Sequence, residues 1–153
     1  MVRLSDISES EAQHLLDLPC PENADSPWTD APAPEAMRVA IITSAGLSLR
    51  SDDTIRPGAS DYRVIPGAID SGEIVMSHVS SNFDRTGFQQ DINVVFPIDR
   101  LRELASDGAI GSVADYHYSF MGATEPEKME AKARELAGLL KEDRVNAVLL
   151  TPV

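Results

Sequence analysis

Two apolar runs set the terms on which this chain folds. Residues 37–44 read MRVAIITS and residues 145–153 read VNAVLLTPV. A strand with one wet face alternates apolar and polar side chains, whereas these runs are apolar at successive positions. Such strands want cover on both faces, which places them inside a sheet flanked by helices. Two helical patterns lie between them. In PIDRLRELASDG, residues 97–108, Ile98, Leu101, Leu104 and Ala105 share one face, with Pro97 at the start and Gly108 just past the end. In the second, Met129, Ala133, Leu136 and Leu140 recur at helical spacing. Thr124 and Glu127 form a capping box at its start, with Pro126 between them, and the helix is expected to run to about Glu142. Strand, helix, strand is a βαβ order, which favours a mostly parallel sheet. The expected fold is α/β: three layers around a mostly parallel sheet, a flavodoxin-like or Rossmann-like half.

The shorter elements fit around that frame. Residues 62–65 and 73–78 are strand candidates, and 110–114 are a short strand or a packed turn. Residues 48–61 and 79–91 read as polar loops, and 115–123 (DYHYSFMGA) are dense in aromatics. Residues 1–18 are expected to form a short helix, with a Ser8–Glu11 capping box and an Ile7–Ala12 staple. Residues 19–36 hold five prolines and read as an extended arm, with Trp28 anchoring it to the domain surface. Two parts are therefore expected: a helix and proline-rich arm over 1–36, and an α/β domain over 37–153.

Charge narrows the partners. The net charge is −12. A phosphate backbone or an anionic membrane surface is repelled by such a field, so neither nucleic acid nor membrane is an expected partner. No run approaches the roughly 18 apolar residues of a membrane-spanning helix. The first residues are polar and acidic, unlike a secretory signal. Cys20 is the single cysteine, so no disulfide forms within one copy. A cytoplasmic protein is expected, and an oligomer is compatible with the sequence.

Familiar chemical motifs are mostly absent. Ser44-Ala45-Gly46 follows a strand as a phosphate loop does, but no G-x-G-x-x-G or G-K-[ST] accompanies it, and a tight strand exit is the plainer reading. His78, Asp84, Asp91 and His117 match no metal-ligand spacing. A Ser-His-Asp hydrolase assembled from Ser77 or Ser119, a histidine and Asp84 lacks the G-x-S-x-G elbow. Cys20 stands among acids, which raise a thiol pKa, and reads as inert. Open α/β sheets bind ligands beyond the carboxyl ends of their strands. That rule makes His78, Asp84 and His117 candidates to line a pocket, joined by Thr43 and Thr151 near the ends of the two apolar strands.

Five stretches taken together are distinctive. They are RVAIITSAGLSLR (38–50), SDYRVIPGAID (60–70), SHVSSNFDRTGFQQDINVVFPIDRLRELASDGAIGSV (77–113), HYSFMGA (117–123) and LAGLLKEDRVNAVLLTPV (136–153). In order and spacing the chain resembles the selenoprotein B subunits of the glycine, sarcosine, betaine and D-proline reductases. The resemblance covers roughly residues 18–153. It implies reductive cleavage of a C–N bond in an amino acid or amine derivative. It also implies a pyruvoyl-containing partner subunit that holds a small amine substrate, and reducing equivalents from a thioredoxin-type reductant. The nucleophile it implies is a selenocysteine, or a cysteine in its place, because a soft, readily ionised group is needed.

The chain departs from that family at the strand 145–153. Relatives continue beyond it into the redox residue and further chain, so no catalytic residue is expected within these 153 residues. No bound cofactor is expected either, and selenocysteine is expected in a full-length form. The expectation is a C-terminal truncation that leaves the chain inactive alone. The rival reading is a non-catalytic binding or assembly subunit of the same fold, and a metal-dependent hydrolase ranks third.

Overall fold

The computed structural model describes residues 3–19, 27–80 and 85–153. Two compact units are present, Met1–Asp30 and Ala31–Val153.

In the first unit a 3-10 turn, Leu4–Asp6, precedes helix α1, Glu9–Leu16. The expected capping box is present. The Glu11 N–H donates to Ser8 Oγ at 3.3 Å, and the Ser8 N–H donates to the Glu11 carboxylate at 3.2 Å. Trp28, expected as an anchor, is 88% exposed. Cys20 lies outside the described residues.

The second unit carries β1 (Arg38–Thr43), β2 (Leu47–Leu49), β3 (Tyr62–Pro66), β4 (Ile74–Met76), α2 (Thr86–Gln90), α3 (Ile98–Ser106), β5 (Ser112–Val113), β6 (Tyr116–Phe120), α4 (Pro126–Glu142) and β7 (Ala147–Thr151). Its main sheet is built on β1. Val39 is in register with both Val113 and Ala147, and Thr43 with both Ser119 and Thr151. A strand has two edges, so β7 takes one edge of β1 while β5 and β6 share the other in succession. All three run parallel to β1, and β3 adds antiparallel to β6. The sheet is therefore mostly parallel. β2 and β4 pair separately as a small antiparallel sheet.

Side-chain alternation explains the layers. On one face Tyr118 and Phe120 pack with Leu136 of α4, joined by Ile42 and Tyr62. On the other, Val39 and Ile41 pack with Phe96, Ile98 and Leu101, the last two from α3. At the amino end of the sheet Arg38 works as a clamp. Its Nε donates to the Asp143 carbonyl at 2.7 Å and its Nη1 to the Val113 carbonyl at 2.9 Å, while Nη2 pairs with the Asp143 carboxylate. One side chain thus ties β1 to β5 and to the end of α4.

The aromatic segment 115–123 contains strand β6, in which Tyr118 and Phe120 are core and His117 and Ser119 face the other way. Three expectations need correction. The loop expected over 48–61 opens with the end of β2, and the one expected over 79–91 contains α2. Thr124 does not cap α4. Its hydroxyl donates to the Ala59 carbonyl at 2.7 Å, and Pro126, already lacking an N–H, opens the helix. Finally, β7 is not buried: Val148, Leu149 and Leu150 are 41%, 37% and 67% exposed. Among the described residues β7 pairs only with β1, so its other edge has no strand beside it.

Candidate functional site

The carboxyl ends of β1, β6 and β7 meet in one small region, and Ser44 is its centre. The Ser44 N–H donates to the Thr151 carbonyl at 3.2 Å, and the Ser44 carbonyl accepts the Gly122 N–H at 2.8 Å. The Ser44 hydroxyl accepts the Val153 N–H at 2.8 Å. Thr43, fully buried beside it, donates its hydroxyl to the Thr151 carbonyl at 3.2 Å and accepts the Ala45 N–H at 3.2 Å. Two glycines make this convergence possible. A Cβ on Gly122 would stand 2.8 Å from the Ser44 carbonyl oxygen and 3.0 Å from that of Val153. Gly46 has φ +65°, and a Cβ there would stand 2.9 Å from the His78 nitrogen.

That contact places His78 beside the exit of β1. The imidazole is 7% exposed, and its Nδ1 accepts the Ser80 N–H at 3.2 Å. Arg85 spans the same turn, donating to the His78 carbonyl at 2.6 Å and the Ser80 carbonyl at 3.0 Å. Burial, and then the positive charge of Arg85, pull the His78 pKa below its ordinary value, so the ring is neutral at pH 7. Asp84 lies outside the described residues.

His117 has a different position. β5 leaves the ladder at the level of Val39, and β6 rejoins it at Ile42. The His117 ring fills the gap: its Nδ1 accepts the Ile41 N–H at 2.9 Å, where a strand carbonyl would otherwise serve. The side chain is completely buried and meets Phe96 edge to face at 5.5 Å. Burial, with the charge of Arg102 next in weight, pushes its pKa down to about 4. An accepting Nδ1 leaves the proton of the neutral ring on Nε2. Gly67 closes against that nitrogen, since a Cβ there would stand 3.3 Å from it and 2.6 Å from the Ala114 carbonyl. The ring is engaged through Nδ1, and its buried Nε2 has no hydrogen-bond partner among the described residues.

Thr43 and Thr151 thus sit side by side at one strand end, with His78 at the neighbouring turn and His117 deeper in the sheet. Thr43 and Thr151 also border a groove of about 420 Å³ between α4 and the strand ends, whose other walls include Ile42, Met129, Leu136 and Leu150. Such a lining suits an apolar body better than a small charged amine. Among the described residues no three His, Cys, Asp or Glu side chains group as metal ligands. Ser119 is buried and accepts the Leu47 N–H at 2.7 Å, which gives its hydroxyl a structural task. Sequence reasoning missed Ser44 and Gly122 as site residues. The available signal was a small or polar residue placed directly where an apolar run stops.

The comparisons with known proteins agree with one another. The sequence profile of the glycine/sarcosine/betaine reductase selenoprotein B family matches residues 16–153. The chain is similar to the D-proline reductase subunit gamma of Acetoanaerobium sticklandii, 38% identical over an alignment of 118 residues, with 75% of this chain and 48% of that one covered. It is similar to the glycine reductase complex component B subunit gamma of Symbiobacterium thermophilum, 33% identical over 120 residues, with 74% of this chain and 28% of that one covered. The betaine reductase complex component B subunit beta of Peptoclostridium acidaminophilum is 29% identical over 121 residues, with 74% and 27% covered. The chain therefore spans about half the length of the first of these relatives and under a third of the other two. No solved structure matches it.

Proposed function

This chain belongs to the glycine/sarcosine/betaine reductase selenoprotein B family, and on that premise we propose that it forms the strand-end platform of the redox component of a C–N-cleaving reductase complex. The observation that carries the proposal is the convergence of Ser44, Gly122 and the Thr151–Val153 segment at the carboxyl edge, the place where open α/β sheets do their chemistry. In this reading the sheet is half of a doubly wound one, and the redox residue of the family, selenocysteine or cysteine, follows Val153. That residue supplies a soft nucleophile for carbon, while the C–N bond breaks and its electron pair leaves with nitrogen.

The residues of this chain do the positioning. Thr43 and Ser44 fix the path by which β7 leaves the sheet, and Thr151 is held by both. His78 stands beside Gly46 with its Nδ1 taken by the Ser80 N–H, so the neutral ring keeps its proton on Nε2 and acts as a positioning group of the edge. These residues line the substrate side of the edge, and His117 acts at one remove by holding β1 against β6. A pyruvoyl-containing subunit holding a small amine, and a thioredoxin-type reductant, complete the complex, which works in the cytoplasm. Among the described residues no helix is long and apolar enough to cross a membrane.

The test is an amine-dependent reductase assay of the component carrying its redox residue, mixed with the partner subunits and a dithiol. Turnover with glycine, betaine, sarcosine or D-proline supports the proposal. Tight binding of the partner subunits without turnover supports the second reading, a non-catalytic assembly subunit. That reading is favoured by the apolar walls of the α4 groove.

A further inference from the structure

β7 has the side chains of an interior strand and the position of an edge. Its register with β1 sets Val148 and Leu150 beside Ala40 and Ile42 on the α4 face, and Leu149 beside Ile41 on the opposite face. All three are at least 37% exposed, and Leu150 reaches 67%. Natural edge strands are usually blunted by charge, by proline within the strand or by a bulge. Residues 145–151 contain no Asp, Glu, Lys or Arg, although the chain has 25 acidic and 13 basic residues. On the α4 face the opening continues into the groove of about 420 Å³, whose helix wall is Met129, Ala133, Ala137 and Leu140.

We propose that β7 is an inner strand of the assembled protein, and that its free edge and the α4 groove are covered by one strand–helix unit from the half of a family subunit that this chain does not span. A strand alone would pair the edge and leave Leu150 and the groove open. A helix alone would fill the groove and leave the backbone edge unpaired. A strand followed or preceded by a helix covers both, and it is the repeating unit of parallel sheets. The relatives have the length for it: the match covers 48% of the D-proline reductase subunit, so a comparable length remains. A second copy of this chain fits less well. It would bring two bodies of charge −12 together. The inference rests on family membership and stands whether or not a redox residue follows Val153.

Amide hydrogen exchange tests it. In this chain at micromolar concentration, the outward amides of residues 147–151 should exchange at least about tenfold faster than those of β1. In the intact D-proline reductase subunit gamma, the strand aligned with β7 should be as protected as the strand aligned with β1. Equal exposure of that strand in the intact subunit overturns the proposal. So does protection of β7 in this chain that rises with its concentration, because a second copy then covers it. Leu150→Asp gives an independent check. An open position tolerates the charge, and the melting temperature should move by under about 3 °C. A larger fall means that Leu150 is already buried in this chain, and that too overturns the proposal.

Discussion

Replacing His117 by glutamine should remove a defined portion of the acid sensitivity of this fold. The imidazole is fully buried, accepts the Ile41 N–H at 2.9 Å, and has its pKa pushed to about 4. In the unfolded chain a histidine titrates near its ordinary value of about 6.5. The folded value is the lower one, so the unfolded state binds the extra proton between these values. The stabilisation is therefore whole above about pH 6.5 and is lost as the pH falls toward 4. Over the full window the loss approaches about 3 kcal/mol, and between about pH 7.5 and pH 5 it amounts to about 2 kcal/mol. The glutamine side chain carries no proton to titrate, and any bond to the Ile41 N–H that it loses is lost equally at both pH values. Urea unfolding at both pH values reads the difference. The wild-type midpoint should fall by roughly 1 M more than that of H117Q over this interval. His78 and the carboxylates are common to both proteins, so their contributions cancel. Parallel stability curves for the two proteins would refute the placement of His117 as a buried neutral member of the β1 ladder.

Other substitutions probe other joints. Gly122→Ala pushes a methyl to within 2.8 Å of the Ser44 carbonyl, and thermal unfolding should show a loss of about 2 kcal/mol. Arg38→Ala takes the cation from the Asp143 carboxylate, which keeps the Asp115 and Tyr116 N–H groups, and one donor from the Val113 carbonyl, and chemical denaturation should report a cost of about 2 kcal/mol. Thr124→Ala should cost about 1 kcal/mol through the lost bond to the Ala59 carbonyl. Because Thr124 does not cap α4, the helical circular dichroism should not change, whereas a true capping residue would take helix with it.

The fold was legible where packing repeats a simple period. The run 37–44 announced β1, the Pro97 to Gly108 pattern announced α3, and Met129 to Leu140 announced α4, because burial on one face fixes apolar spacing. β6 was harder to read. Its inward residues on the α3 side are His117 and Ser119, polar side chains whose partners are backbone amides distant in sequence, Ile41 and Leu47. No local pattern reports such a partner. Thr124 and Pro126 carry the letters of a helix cap, but the hydroxyl found its acceptor in a loop far away along the chain. The candidate site was half legible. Thr43 and Thr151 could be placed at strand ends from the apolar runs alone, and they are in register. Ser44 and Gly122 depend on how three strand ends meet, which only the folded arrangement specifies. The exposure of β7 was hidden for a related reason: its composition is that of an inner strand, and composition does not say which neighbour is present.

In the function proposed above, β7 delivers the redox residue of a reductase component to the carboxyl edge held by Thr43, Ser44 and Gly122. Intact and fragment mass spectrometry of the protein purified from its native cells tests it most directly. The expected result is a polypeptide in which Val153 is followed by selenocysteine or cysteine. A native polypeptide with neither residue at that position would contradict it.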